Sequence, residues 1–193
     1  MKITVPGRCH VGSEGRLRGP VSVSYNDPWP CANGTPGGFI APARGVVLHT
    51  EVGTETGTRA WFNNPQAQAS AFFSVSFDGS VRQYGPLDGW MAWSQAEGNP
   101  EWIGVEHEDD GNPAIPFSAG QIAATAQIFE ATSAHFGFPL DITDNTDGHG
   151  LIYHGAGGVA WGDHPDCPGD VRKHQRPAII AVAKAIRALP VKP

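Results

Sequence analysis

The spacing of apolar residues changes several times along this chain, and each change marks an element. Gly45-Val46-Val47-Leu48-His49-Thr50 is a short, nearly continuous apolar run, which predicts a buried strand with a histidine at its end. From Thr58 to Asn64 a short helix is expected, with Trp61 and Phe62 turned inward. Phe73, Val75 and Phe77 then alternate with Ser74 and Ser76, the period of a strand. Asp78-Gly79 supplies a two-residue turn into a return strand from Ser80 to Tyr84. Trp102 to Glu108, reading WIGVEHE, is a further strand that ends in acidic residues.

The period then lengthens. Ser118 followed by Gln121 is a capping box, Ile122, Ala126, Phe129, Ser133 and Phe136 recur at helical spacing, and Gly137 supplies the stop. A long loop is expected from Asp141 to Asp170, and a last helix opens near Arg176-Pro177 with a stripe of Ile179, Ala183 and Ile186. Before residue 45 the turn signals NDPWP, NGTPGG and APAR dominate, so 1–44 reads as irregular. Strand, helix, hairpin, strand, long helix, long loop and helix make an α/β (α+β) architecture, a mixed central sheet flanked by helices. No linker or repeat divides it, so residues 1–193 are expected to form a single domain, with 45–188 as its core.

Composition narrows the partners. At 193 residues, one hydrophobic core suffices without disulfide staples. Net charge is −6, which repels phosphate backbones and argues against nucleic acid as a partner. The N-terminal stretch MKITVPGRCHVGSEGRLRGP has no apolar run fit for a signal peptide. The run Ala178 to Leu189 is too short to span a bilayer and carries Lys184 and Arg187, so membrane insertion is not expected. Three cysteines, Cys9, Cys31 and Cys167, cannot form a complete disulfide framework, although Cys9 and Cys31 are free to pair.

The candidate chemistry lies in imidazole and thiol groups. Zinc favours these donors, and a catalytic zinc site uses three protein ligands and keeps one position open. His49 ends a strand, while His154 and Cys167 share the long loop with twelve residues between them (155–166). That spacing alone matches no short metal-binding pattern. The surrounding blocks are more specific: VVLHT, then SAFFSVSFDGSVRQYGPLDGWMAWS, then IGVEHE, and finally YHGAGGVAWGDHPDCPGD. In this order, across roughly residues 45 to 170, they resemble the type 2 N-acetylmuramoyl-L-alanine amidases, which include amidase-type phage endolysins and peptidoglycan recognition proteins.

The resemblance implies a zinc ion (Zn2+) held by His49, His154 and Cys167, with hydrolysis of the amide between N-acetylmuramic acid and L-alanine in bacterial peptidoglycan. It further implies that Glu106 handles the proton, with Glu108 as a rival on the same face of the strand and His107 on the opposite face. His149 is the alternative to His154 as a ligand. The chain departs from the family where many members carry a lysine two positions before the cysteine, which is Pro165 here, and His164 is the nearest replacement donor. It also reads Ala92-Trp93-Ser94 where the family has AWH. Trp90, Trp93 and Trp161 are candidates for a sugar-binding groove, and Trp61 and Trp102 for the core.

These expectations amount to a monomeric phage or prophage endolysin, held in the host cytoplasm without a signal peptide and reaching the wall after holin-dependent release. Three other readings stand beside it: a non-catalytic peptidoglycan-binding module, a cytoplasmic cell-wall recycling amidase, and a cysteine peptidase using Cys31 or Cys167.

Overall fold

The computed structural model describes residues 7–39 and 42–190. The start of the segment read as irregular, and the first residue of the APAR turn, lie outside that range. The strands are β1 (His10–Val11), β2 (Leu17–Arg18), β3 (Val23–Tyr25), β4 (Thr35–Pro36), β5 (Gly45–Leu48), β6 (Phe73–Val75), β7 (Val81–Gln83), β8 (Trp90–Met91), β9 (Trp102–His107) and β10 (Gly150–Tyr153). The helices are α1 (Glu55–Phe62), α2 (Ala119–Phe136), α3 (Asp170–Lys173) and α4 (Arg176–Arg187), with 3-10 turns at Ala96–Gly98 and His154–Trp161.

Six strands form the central sheet in the order β10-β5-β9-β6-β7-β3. The four strands β10, β5, β9 and β6 run parallel to one another, β7 returns antiparallel to β6, and β3 lies parallel to β7. This is the mixed sheet of an α+β fold. Its inner strands are buried on both faces, which is why β5 reads as an uninterrupted apolar run.

Helix α2 begins where expected: Ser118 Oγ accepts from Gln121 N, the Gln121 side chain accepts from Ser118 N, and Gly137 closes the helix at φ 86°. Both reciprocal bonds satisfy N–H groups that no helical carbonyl can reach. The helix is buried nearly all round, between the sheet, α4 and the N-terminal segment. Its buried polar groups are used as ties. Gln127 accepts from Cys9 N and donates to Gly7 O, and Glu130 accepts from both Arg8 and Arg187. Among the described residues no helix is long and apolar enough to cross a membrane.

Several expectations change. The N-terminal segment is not wholly irregular: it supplies the edge strand β3, a long-range pairing that leaves no local signature. The hairpin turn has three residues, not two. Ser76 N bonds to Ser80 O and Gly79 N to Ser76 O, with Gly79 at φ 87°, a type I turn followed by a glycine bulge. The loop from Asp141 to Asp170 contains β10 and the 3-10 turn His154–Trp161, and α3 begins at its end. Trp61 is 55% exposed, so α1 buries Phe62 but not its tryptophan. Cys9 and Cys31 are both free thiols.

Candidate metal centre

Strand register brings the chemistry together. Leu48 of β5 pairs with Tyr153 of β10 on one side and with Val105 of β9 on the other. One residue further on, His154, His49 and Glu106 therefore stand abreast at the carboxyl ends of three adjacent parallel strands. In-register residues of parallel strands project to the same face, so the three side chains converge. The imidazole rings of His49 and His154 lie 4.4 Å apart between centroids, and Glu106 Oε1 is 3.9 Å from His49 Nδ1.

Cys167 arrives from the following loop. Gly155 N donates to Cys167 O at 3.0 Å, holding the cysteine segment against the end of β10. A Cβ on Gly155 would sit 2.6 Å from Pro165 O, so only glycine permits this approach. The ligand atoms of His49, His154 and Cys167 all lie within 4.8 Å of one another. His149, by contrast, is exposed on the loop before β10 and outside the group.

The far side of each imidazole is tied down. His154 Nε2 donates to Trp161 O at 2.8 Å. His49 Nε2 faces Gln95 Oε1 at 3.2 Å, and Gln95 Nε2 donates to Trp102 O at 3.0 Å. That second bond fixes which end of the amide faces the imidazole, so Nε2 of His49 is the protonated nitrogen. Nδ1 of each ring is left with its lone pair, the state a metal ligand needs. Gln95 can reach because residue 104 is glycine: a Cβ there would lie 2.3 Å from Ser94 Oγ and 3.0 Å from Gln95 Oε1.

The electrostatics keep the histidines neutral. Burial holds His49 well below its ordinary pKa, reinforced by His154, and burial likewise lowers His154. Burial pushes the Cys167 thiol far up, with Glu106 adding to the effect and the Thr50 N–H that points at the sulfur opposing it. Such a thiol ionises only with a cation beside it. Two neutral imidazoles and a latent thiolate form a donor set that fits a soft or borderline divalent ion with an open position.

Glu106 is largely buried, and its Oε2 has no hydrogen-bond partner among the described residues. Burial, then the charges of Glu51 and Asp109, hold its carboxyl well above the usual range. Glu108 is differently employed, since its two oxygens accept from Glu55 N and Phe77 N. Glu106 therefore faces the cluster and Glu108 ties backbone. His107, on the opposite face as expected, bonds to His49 O and Thr125 Oγ1. His164 is exposed, with its ring 4.8 Å from that of His154.

Beside the cluster opens a cleft of about 380 Å³, lined by Glu51, Val52, Thr58, Trp61, Phe62 and Glu106 among others. The expected groove tryptophans are elsewhere. Trp90 is buried against Phe72, and Trp161 is buried against Trp102, serving the site only through its carbonyl. Trp93 is half-buried and donates to Thr35 Oγ1. Sequence reasoning missed Gln95, Glu51, Asp109 and Arg172. Arg172 is fully buried and donates to Thr50 Oγ1, His107 O, Glu108 O and Ile115 O, joining the segments that follow β5 and β9.

Comparison with known proteins agrees with this geometry. A sequence profile described as N-acetylmuramoyl-L-alanine amidase matches residues 40–170. The chain is similar to N-acetylmuramoyl-L-alanine amidase A of Achromobacter lyticus, at 32% identity over 93 residues, which are 48% of this chain and 52% of that protein. The match thus spans about half the length of that relative. Its fold is similar to the crystal structure of Staphylococcus aureus hydrolase AmiA in complex with its ligand, with a TM-score of 0.62 at 18% identity, covering 86% of this chain and 83% of that one. It is also similar to a mutant endolysin from Bacillus subtilis (TM-score 0.58, 18% identity, 85% and 99% covered). An AmpD derivative gives a TM-score of 0.62 at 16% identity, with 90% and 97% covered. At these identities the solved structures show the shared fold.

Proposed function

Because this chain belongs to the N-acetylmuramoyl-L-alanine amidase family, matched over residues 40–170, we propose that it is a zinc-dependent hydrolase of the amide joining N-acetylmuramic acid to L-alanine in bacterial peptidoglycan. The observation that carries this reading is the meeting of His49, His154 and Cys167, with donor atoms within 4.8 Å, beside Glu106 and an open cleft. A zinc ion held by those three side chains supplies Lewis acidity toward the amide carbonyl and lowers the pKa of water toward about 7.

The protein's own groups manage the protons. As water's oxygen bonds to the carbonyl carbon, Glu106 accepts its proton, and when the C–N bond breaks the same carboxyl delivers that proton to the alanine nitrogen. Burial raises the Glu106 carboxyl above the ordinary range, so it takes and holds a proton more readily than a free carboxylate does. His164, exposed beside His154, is the donor proposed to steady the carbonyl oxygen.

In the cell the proposed role is that of a phage or prophage endolysin, monomeric, held in the host cytoplasm and acting on the wall after release. One of the solved structures that share this fold is named an endolysin, and the fold is compatible with that role.

The test is mass analysis of fragments from a defined muropeptide, with and without a chelator. New alanine amino termini that vanish on chelation and return with zinc are expected. Cleavage at another bond, or cleavage indifferent to the chelator, overturns the reading.

A further inference from the structure

Two large apolar side chains stand exposed in the cleft beside the metal centre. Trp61 is 55% exposed and Val52 is 70% exposed, and both line the cleft that Glu51 and Glu106 also line. Single exposed apolar residues are ordinary on any surface. These two share a concave wall, and one of them is held there against its conformational preference. Val52 has φ 52°, the left-handed region that a β-branched residue avoids.

The clamp that holds Val52 is visible. Asp109, fully buried, accepts from Gly53 N at 2.7 Å and from Thr50 Oγ1 at 2.6 Å, so its carboxylate grips both sides of the turn. The amides of Asp109 and Asp110 both donate to Gly53 O in return. Strain of this kind persists only where the surroundings over-determine it, and it gathers at sites of function. Among the described residues, no lysine or arginine lines the cleft.

We propose that Val52 and Trp61 form the platform on which the apolar face of the pyranose ring of the muramyl group rests. The proposal rests on the amidase reading of this site and names the part of the substrate this wall receives. A pyranose offers an apolar C–H face, and the exposed indole of Trp61 beside Val52 answers it.

The experiment compares Val52→Gly, Trp61→Ala and Trp61→Phe with the parent on two substrates that carry the same stem peptide. One is a muramoyl-peptide and the other is a lactoyl-peptide without the sugar. For the muramoyl-peptide, Val52→Gly and Trp61→Ala are expected to raise KM about tenfold with kcat little changed, and Trp61→Phe to recover part of the loss. For the lactoyl-peptide the same variants should change KM less than about twofold. Val52→Gly should also keep or raise Tm, since glycine accepts the left-handed backbone. A merely structural role predicts the reverse, a lower Tm. Equal KM losses on both substrates assign the wall to the peptide and overturn the proposal, as does an unchanged KM on the muramoyl-peptide. If the parent releases no alanine amino terminus from either substrate, the amidase reading falls and takes this one with it.

Discussion

Gln95 orients His49: its Oε1 lies 3.2 Å from His49 Nε2, and its amide nitrogen is anchored on Trp102 O at 3.0 Å. The amide cannot turn over without losing the anchor, so it selects the tautomer that leaves Nδ1 free. Removing the side chain as Gln95→Leu should lower zinc affinity roughly 10- to 100-fold, the usual cost of losing a partner behind a metal-bound histidine. Gln95→Glu, which keeps the acceptor, should recover most of it. A competition titration against a chromophoric chelator measures both, and equal affinities for parent and Gln95→Leu would refute the orienting role.

Cys167→Ser tests the thiol directly. A hydroxyl is a poorer and harder donor than a thiolate. Zinc affinity is expected to fall at least about tenfold, with the fold intact by circular dichroism. Parent-like affinity would remove Cys167 from the ligand set.

Glu106→Gln separates proton transfer from metal binding. The side chain stands 3.9 Å from His49 Nδ1, beside the donor group but not among the atoms that converge. The amide is isosteric and cannot accept the water's proton. Bound zinc should stay stoichiometric while turnover falls by about 10²- to 10⁴-fold. Wall lysis at the parent rate would show that another group handles the proton.

What was legible in the sequence was local. The capping box at Ser118 and Gln121 and the glycine stop at Gly137 were readable because each is written within one turn of helix. The strand ending at His49 was readable because burial on both faces makes β5 uniformly apolar. The candidate metal ligands came from resemblance to a family, not from spacing, since strand register brings together residues as distant in sequence as His49 and His154.

What stayed hidden depends on partners far along the chain. Edge strand β3 exists because of β7, and nothing in Val23–Tyr25 announces that pairing. The tryptophans were misplaced for the same reason. Trp61 and Trp90 look alike in sequence, but Trp90 is enclosed by Phe72 and its neighbours, whereas Trp61 opens on the cleft. Gln95 carried no signal at all; its role follows from the missing Cβ at Gly104, which lets residues 94–95 lie against β9.

The pH dependence of stability should carry a contribution from His107. Its ring is fully buried, with Nδ1 bonded to His49 O at 2.9 Å and Nε2 to Thr125 Oγ1 at 2.8 Å. Burial lowers its pKa from 6.5 to about 3, and the Arg172 cation nearby adds to the effect. In the unfolded chain the imidazole takes up a proton as pH falls through 6.5, while the folded protein resists until about 3. The unfolded state therefore binds more protons across that window, and stability is lost as pH falls through it, at about 1.4 kcal/mol per pH unit from this group. Above pH 6.5 the contribution is complete and flat. Urea denaturation of the metal-free protein from about pH 6 down to about pH 4 should give a shallower decline for His107→Gln than for the parent, by about that slope. If the variant does not fold, NMR titration of the parent ring answers the same question. A His107 ring that protonates near pH 6 in the folded state, or identical slopes for the two proteins, would show that the buried imidazole is not what makes the fold acid-sensitive.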